Sequence, residues 1–167
     1  MHKKKVAVLV SGGGTNLQAL IDAERRGELP HAELALVAAS DPSAGALERA
    51  KAAGIPACVV NAAHFTRQDF FDKAAYSAAL FEKLAEVQID VVVLAGFLVI
   101  VDEPVLSAYS GRILNVHPSL IPAFCGDGFF GLFVHEAALA CGVKITGATV
   151  HLVNSITDGG RILRQKA

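Results

Sequence analysis

The run Val6-Ala-Val-Leu-Val10 is wholly apolar and stops abruptly at Ser11 and a string of glycines. A half-exposed strand alternates polar and apolar residues; a strand with no polar member needs apolar partners on both of its faces. Val91-Val-Val-Leu-Ala95 repeats the pattern. Glu33–Ser40, Ala57–Val60, Ile113–His117 and Ile145–Val153 supply further strands, the last on its β-branched content. Segments of helical type separate them. Leu17–Arg26 carries Leu17, Leu20 and Ile21 on one face, and Ala44–Ala53 follows the turn and cap chemistry of Asp41-Pro-Ser43 and ends at Gly54. Arg67–Val87, Glu103–Tyr109 and Phe133–Ala140 complete the helical set. Strands that alternate with helices predict an α/β fold: a mainly parallel sheet between two layers of helix.

The chain has 167 residues, which predicts a single domain with a substantial core. With 53% apolar and 19% charged residues it is not a disordered chain. Its formal charge is −1, and Lys3-Lys4-Lys5 is the longest basic run, so binding a nucleic acid is not expected. Apolar runs stay near strand length, well short of the roughly 20 residues of a membrane span, and no signal peptide is recognisable. Cys58, Cys125 and Cys141 lack metal-ligand spacing and read as reduced thiols, which predicts a cytoplasmic protein without a metal site.

Ligands of such folds bind beyond the carboxyl ends of the strands, where strand order reverses. Ser11–Asn16, Gly96–Ile100, Asn115–His117 and Thr157–Gly160 are the candidates for that edge. Asn115 and His117 stand two apart on a strand and therefore share a face, and Pro118 keeps His117 extended. An amide donor and an imidazole aimed at one point suit a reaction that builds negative charge on a carbonyl oxygen. Asp158, in Ser155-Ile-Thr-Asp-Gly-Gly160, can bring a carboxylate back to that imidazole. Taken singly, each reads first as a residue satisfied by the core or a turn, such as a core histidine or a turn aspartate; the constellation together favours the catalytic reading. Gly12, Gly13 and Gly14 allow close backbone approach, and Thr15 and Asn16 open a helix whose amides favour a phosphomonoester. The loop lacks the Gly-Lys-Ser/Thr of a Walker motif, and Leu17 replaces the last glycine of a dinucleotide fingerprint. His135 reads first as a surface residue and His151 as a hydrogen-bonded core residue, while His2, His31 and His64 carry no motif.

With Ser11-Gly-Gly-Gly-Thr-Asn-Leu17, Val92-Val-Leu-Ala-Gly-Phe97, Leu114-Asn-Val-His-Pro-Ser-Leu-Ile-Pro122, Thr146-Gly-Ala-Thr-Val-His151 and Asp158-Gly-Gly160 in order, the chain resembles the folate-dependent formyltransferase family. The glycine loop points to its glycinamide ribonucleotide branch. The resemblance implies a seven-stranded, Rossmann-like three-layer sandwich, 10-formyltetrahydrofolate as formyl donor, and the amine of 5-phosphoribosylglycinamide as acceptor in purine synthesis. It implies that Gly14, Thr15 and Asn16 hold the acceptor phosphate. It further implies that Leu98, Ile100 and Val101, with the Val153–Asp158 loop, border the pterin, and that Arg67 meets the folate's glutamate tail. Asn115 and His117 would then donate to the oxyanion, with Asp158 orienting His117 and taking or relaying the amine proton.

Three departures accompany the resemblance. Relatives continue past Asp-Gly-Gly with a strand and a C-terminal helix, whereas Ala167 ends this chain. The domain is therefore expected to lack that extension and to expose apolar surface that favours a homodimer. Val99 stands where many relatives carry arginine, and Cys125-Gly-Asp-Gly-Phe-Phe-Gly131 replaces a commoner Pro-Gly loop. The competing readings are a 10-formyltetrahydrofolate hydrolase, a non-catalytic folate- or nucleotide-binding remnant, and a dinucleotide dehydrogenase. The last is disfavoured because Asp41, before Pro42, reads as a turn rather than a ribose ligand.

Overall fold

A computed structural model describes residues 2–167. In chain order the elements are β1 (Lys4–Val10), α1 (Thr15–Arg25), β2 (Ala32–Ala39), α2 (Ala46–Ala53) and β3 (Ala57–Val59). A 3-10 turn at Ala62–Phe65 leads to a short hairpin of β4 (Thr66–Arg67) and β5 (Phe70–Phe71). Then come α3 (Lys73–Val87), β6 (Val91–Leu94), α4 (Val105–Ala108), β7 (Ile113–His117), α5 (Leu132–Cys141), β8 (Ala148–Leu152) and β9 (Ile162–Lys166).

The main sheet has seven strands in the order β3-β2-β1-β6-β7-β8-β9. The first five run parallel, and β8 and β9 are antiparallel additions. Alternation along β1 explains its unbroken apolarity. Val6, Val8 and Val10 pack with Leu17 and Ile21 of α1 and with Ala46 and Ala50 of α2. Ala7 and Leu9 face the other way, toward Tyr76, Leu80 and Leu84 of α3. The result is the three-layer α/β sandwich, with a core on each face of the sheet.

The helix expected over Arg67–Val87 starts only at Lys73. Gln68 and Asp69 adopt left-handed φ values of 46° and 64°, which turn the chain into the β4–β5 hairpin. Asp72 then caps α3 by accepting the Ala75 amide hydrogen at 3.0 Å. Strand β9 is a second difference: a strand, Ile162–Lys166, follows Asp158-Gly-Gly160. Asp41 forms the expected turn but does not cap the helix that follows. Its carboxylate binds Ser43 within a turn, while α2 begins after Gly45.

Strand order reverses between β1 and β6, both of which run parallel to β7. The loops after β1, β6 and β7 therefore leave the sheet on one edge. Ser11 closes the crevice between the first two: its N–H donates to the Gly96 carbonyl at 3.0 Å, and its hydroxyl accepts the Leu98 N–H at 2.9 Å.

Candidate active site

Asn115 and His117 lie on β7, two apart and so on one face of the sheet, in register with His151 and Thr149 of the antiparallel partner β8 respectively. Asp158 reaches both from the β8–β9 connection. Its Oδ2 lies 3.4 Å from His117 Nδ1, and its Oδ1 lies 3.5 Å from both His151 Nε2 and Asn115 Nδ2. The Gly126 N–H donates to Oδ2 at 3.0 Å. This carboxylate is only 8% exposed, so its charge is compensated inside the cluster rather than by bulk water. Asp158 itself has φ 54°, the left-handed backbone that turns its side chain back over the sheet.

Hydrogen-bond partners settle where protons reside. The Phe124 carbonyl lies 2.8 Å from His117 Nε2, so that nitrogen carries a hydrogen. His117 Nδ1 then becomes a donor to Asp158 only in the imidazolium form. His151 Nδ1 faces the Leu152 carbonyl at 2.9 Å and is likewise a donor; in the neutral ring Nε2 accepts from Asn115 Nδ2 at 3.1 Å, and in the imidazolium it donates to Asp158 Oδ1 instead. One N–H of the Asn115 amide is thus directed at the His151–Asp158 pair, and the other is available to a ligand.

Burial opposes charge on both members of that pair and is the largest single influence on each. For Asp158 it is outweighed by the His151 hydrogen bond, the Gly126 amide and the neighbouring imidazoles, which together hold the carboxyl below its ordinary value. For His151 the Asp158 hydrogen bond and charge, with the Leu152 carbonyl, overcome desolvation and raise its basicity. Burial and the Asp158 charge push the nearby Cys125 thiol up, away from a reactive thiolate.

A second polar layer holds the Ser119–Ala123 loop that leads to the Phe124 carbonyl, which Ser119 Oγ also approaches at 3.4 Å. Thr149, fully buried, donates through Oγ1 to the Ser119 carbonyl at 2.6 Å and accepts from Ile121 N–H at 3.1 Å. Gln165 of β9 donates to the same Oγ1 at 3.0 Å and to the Ile121 carbonyl at 2.9 Å. Ser119 Oγ donates to the Ala123 carbonyl at 2.6 Å. Sequence reasoning missed Thr149, Ser119 and Gln165 and gave His151 second place. A signal was available, since Thr149-Val-His151 repeats the polar–apolar–polar spacing of Asn115-Val-His117.

The glycine loop sits at the β1–α1 junction. Gly14 is the N-cap of α1 with φ 74°, and a Cβ placed there would lie 2.6 Å from the Ala46 Cβ. Both the backbone conformation and the close approach of α2 therefore require glycine. Thr15 and Asn16 are exposed at the first turn. Beyond β6, Leu98 and Ile100 are exposed apolar side chains, while Val101 and the half-buried Val153 pack into the core around α3. Arg67 stands apart on the hairpin, exposed, where His64, Phe65, Phe70, Asp72 and Ala75 line a shallow cavity with it. The edge contact of Phe65 with Tyr76, and the tilted ring contacts of Tyr76 with Phe71 and Phe97, join that hairpin to the loop after β6. Among the described residues, no group of His, Cys, Asp and Glu is placed to hold a metal ion.

A family model described as formyl transferase matches residues 4–167. The phosphoribosylglycinamide formyltransferase of Haemophilus influenzae is 40% identical over 162 residues, covering 97% of this chain and 71% of that protein. The trifunctional purine biosynthetic protein adenosine-3 of Drosophila melanogaster is 40% identical over 167 residues, and the chain spans only 12% of that relative's length. The crystal structure of glycinamide ribonucleotide transformylase 1 from Symbiobacterium toebii superimposes with a TM-score of 0.87 at 41% identity, covering 99% of this chain and 73% of that one. With the match running through every element from β1 to β9, the chain belongs to the formyl transferase family.

Proposed function

We propose that this protein transfers the formyl group of 10-formyltetrahydrofolate to the amine of 5-phosphoribosylglycinamide, a step of purine biosynthesis. The observation that carries the reading is the buried Asp158 carboxylate held beside Asn115, His117 and His151. The neutral amine attacks the formyl carbon, forming the new C–N bond while the carbonyl electrons move to oxygen. Asn115 donates its free amide hydrogen to that oxyanion; a donor so placed lowers the barrier by about 3–4 kcal/mol. His117 adds a second donor once its Nε2 leaves the Phe124 carbonyl. Asp158 takes the amine proton, directly or through a water. Collapse of the intermediate expels the folate N10, which gains a proton, and leaves the formylated acceptor.

Gly14, Thr15 and Asn16 hold the acceptor phosphate in this reading, supported by the glycine loop and its position at the head of α1. Leu98 and Ile100 offer apolar surface to the pterin, with Val101 and Val153 behind the loop. Arg67, exposed on the hairpin, receives the anionic tail of the folate. The free Cys58, Cys125 and Cys141 support a cytoplasmic setting, and no helix is long and apolar enough to cross a membrane among the described residues. Exposed Leu132, Phe133, Leu139 and Ile145 support a homodimer, which sedimentation of a stable monomer at high concentration would exclude.

The test is absorbance of the folate with purified protein, with and without the acceptor. Deformylation that requires glycinamide ribonucleotide supports the transferase. Equal deformylation without it replaces the reading with a hydrolase, and folate binding without turnover replaces it with a binding module.

A further inference from the structure

Each carbonyl of the glycine loop is occupied by a donor from outside the loop's own three residues. Gly12 O accepts from the Ala46 N–H at 3.1 Å, Gly13 O from Arg49 Nε–H at 2.7 Å, and Gly14 O from the Gln18 N–H at 2.9 Å. Two of these donors belong to α2. In a trans peptide the C=O and the following N–H point in opposite directions. Holding these carbonyls on the α1–α2 side therefore turns the N–H groups of Gly13, Gly14 and Thr15 the other way. Among the described residues none of those three N–H groups has an acceptor.

Arg49 makes the charged bond of the set. Its guanidinium donates through Nη1 to Gln18 Oε1 at 3.1 Å as well as through Nε to Gly13 O, and Gln18 Nε2 donates onward to Asp22 at 2.9 Å. The planar fork thereby locks one peptide, Gly13–Gly14, against α1, and a charge-assisted bond is the strongest restraint available to a loop without side chains. We infer that Arg49 is a positioning residue for the acceptor phosphate: it orients the Gly13–Gly14 peptide so that the Gly14 N–H faces the phosphate, acting through backbone rather than by touching the ligand. The inference rests on the proposed role of Gly14–Asn16 in holding that phosphate.

The experiment compares the full chain with its Arg49→Met and Arg49→Lys variants. It measures kcat, KM for each substrate, and inhibition by inorganic phosphate. Losing a charge-assisted bond to the loop is expected to raise acceptor KM and the inhibition constant of phosphate together, by about tenfold in Arg49→Met. Turnover at saturating acceptor and KM for the folate should stay within about twofold. Lysine keeps the charge but not the fork, so Arg49→Lys should fall between wild type and Arg49→Met; it also carries the test if the methionine variant does not fold. Unchanged phosphate inhibition and acceptor KM in the variants overturn the inference alone. A uniform loss that includes kcat and folate KM also overturns it, since it marks a merely structural tie between helices. If wild type itself is neither inhibited by phosphate nor dependent on acceptor, the functional reading falls and the inference with it.

Discussion

Replacing Asp158 by asparagine isolates the charge of the site from its shape. The side chains are isosteric, and the amide oxygen of asparagine can still accept the Gly126 N–H that now bonds Oδ2 at 3.0 Å. His117 keeps the tautomer imposed by the Phe124 carbonyl, because the substitution leaves that contact to Nε2 in place. Geometry is thus retained while the proton acceptor is lost. General-base assistance is worth about two to four powers of ten in rate, which at 1.36 kcal/mol per decade is roughly 3–5 kcal/mol of barrier. Asp158→Asn is expected to lower kcat by that factor while leaving KM for acceptor and folate within about threefold. Single-turnover absorbance of the folate separates the chemical step from product release, and circular dichroism checks the fold. A folded Asp158→Asn protein that turns over at the wild-type rate would refute the assignment of Asp158 as proton acceptor.

Stability should follow pH through the same cluster. The lowered Asp158 contributes stability that is present above its ordinary 3.8 and is lost as pH falls through its folded value. The raised His151 contributes stability that is present below its ordinary 6.5 and is lost as pH rises through its folded value. Their joint contribution is largest between those two ordinary values, and urea titrations of wild type and Asp158→Asn carried to pH above this range should show the alkaline decline reduced in the variant. Gly14→Val forces a β-branched residue to φ 74° against Ala46; about 1–3 kcal/mol of stability should be lost and acceptor KM raised, measured by chemical unfolding and steady-state kinetics. Thr149→Val removes a buried hydroxyl that serves Ser119, Ile121 and Gln165; a loss of about 1–3 kcal/mol in urea unfolding is expected, and an unchanged midpoint would show that these groups find other partners.

The parallel half of the fold was legible in the chain because its signals are local. A strand buried on both faces must be apolar throughout, so β1 and β6 declare themselves without knowledge of their neighbours. The pairing of Asn115 with His117 was legible for a similar reason: a strand period of two puts them on one face wherever the strand lies. Gly14 likewise announces a backbone that side chains rarely adopt. By contrast, Arg67–Phe71 belongs to a pattern compatible with helix, and the hairpin arises because Gln68 and Asp69 turn left-handed while Phe65 and Phe71 pack on Tyr76. Strand β9 has no buried face to advertise it; its residues are all exposed, and only the ladder with β8 makes it a strand.

The sequence by itself thus determined a sheet between helices, the glycine turn, and the identity of the polar groups on β7. Tertiary structure decided how those groups are charged and aimed. The Phe124 carbonyl on His117, the Gly126 amide and His151 on Asp158, and Arg49 on Gly13 are contacts between distant loops and elements, set by strand register and helix packing. No local pattern encodes such contacts, because a hydrogen bond depends on direction and distance across the fold, whereas periodicity reports only which side of its own element a residue occupies.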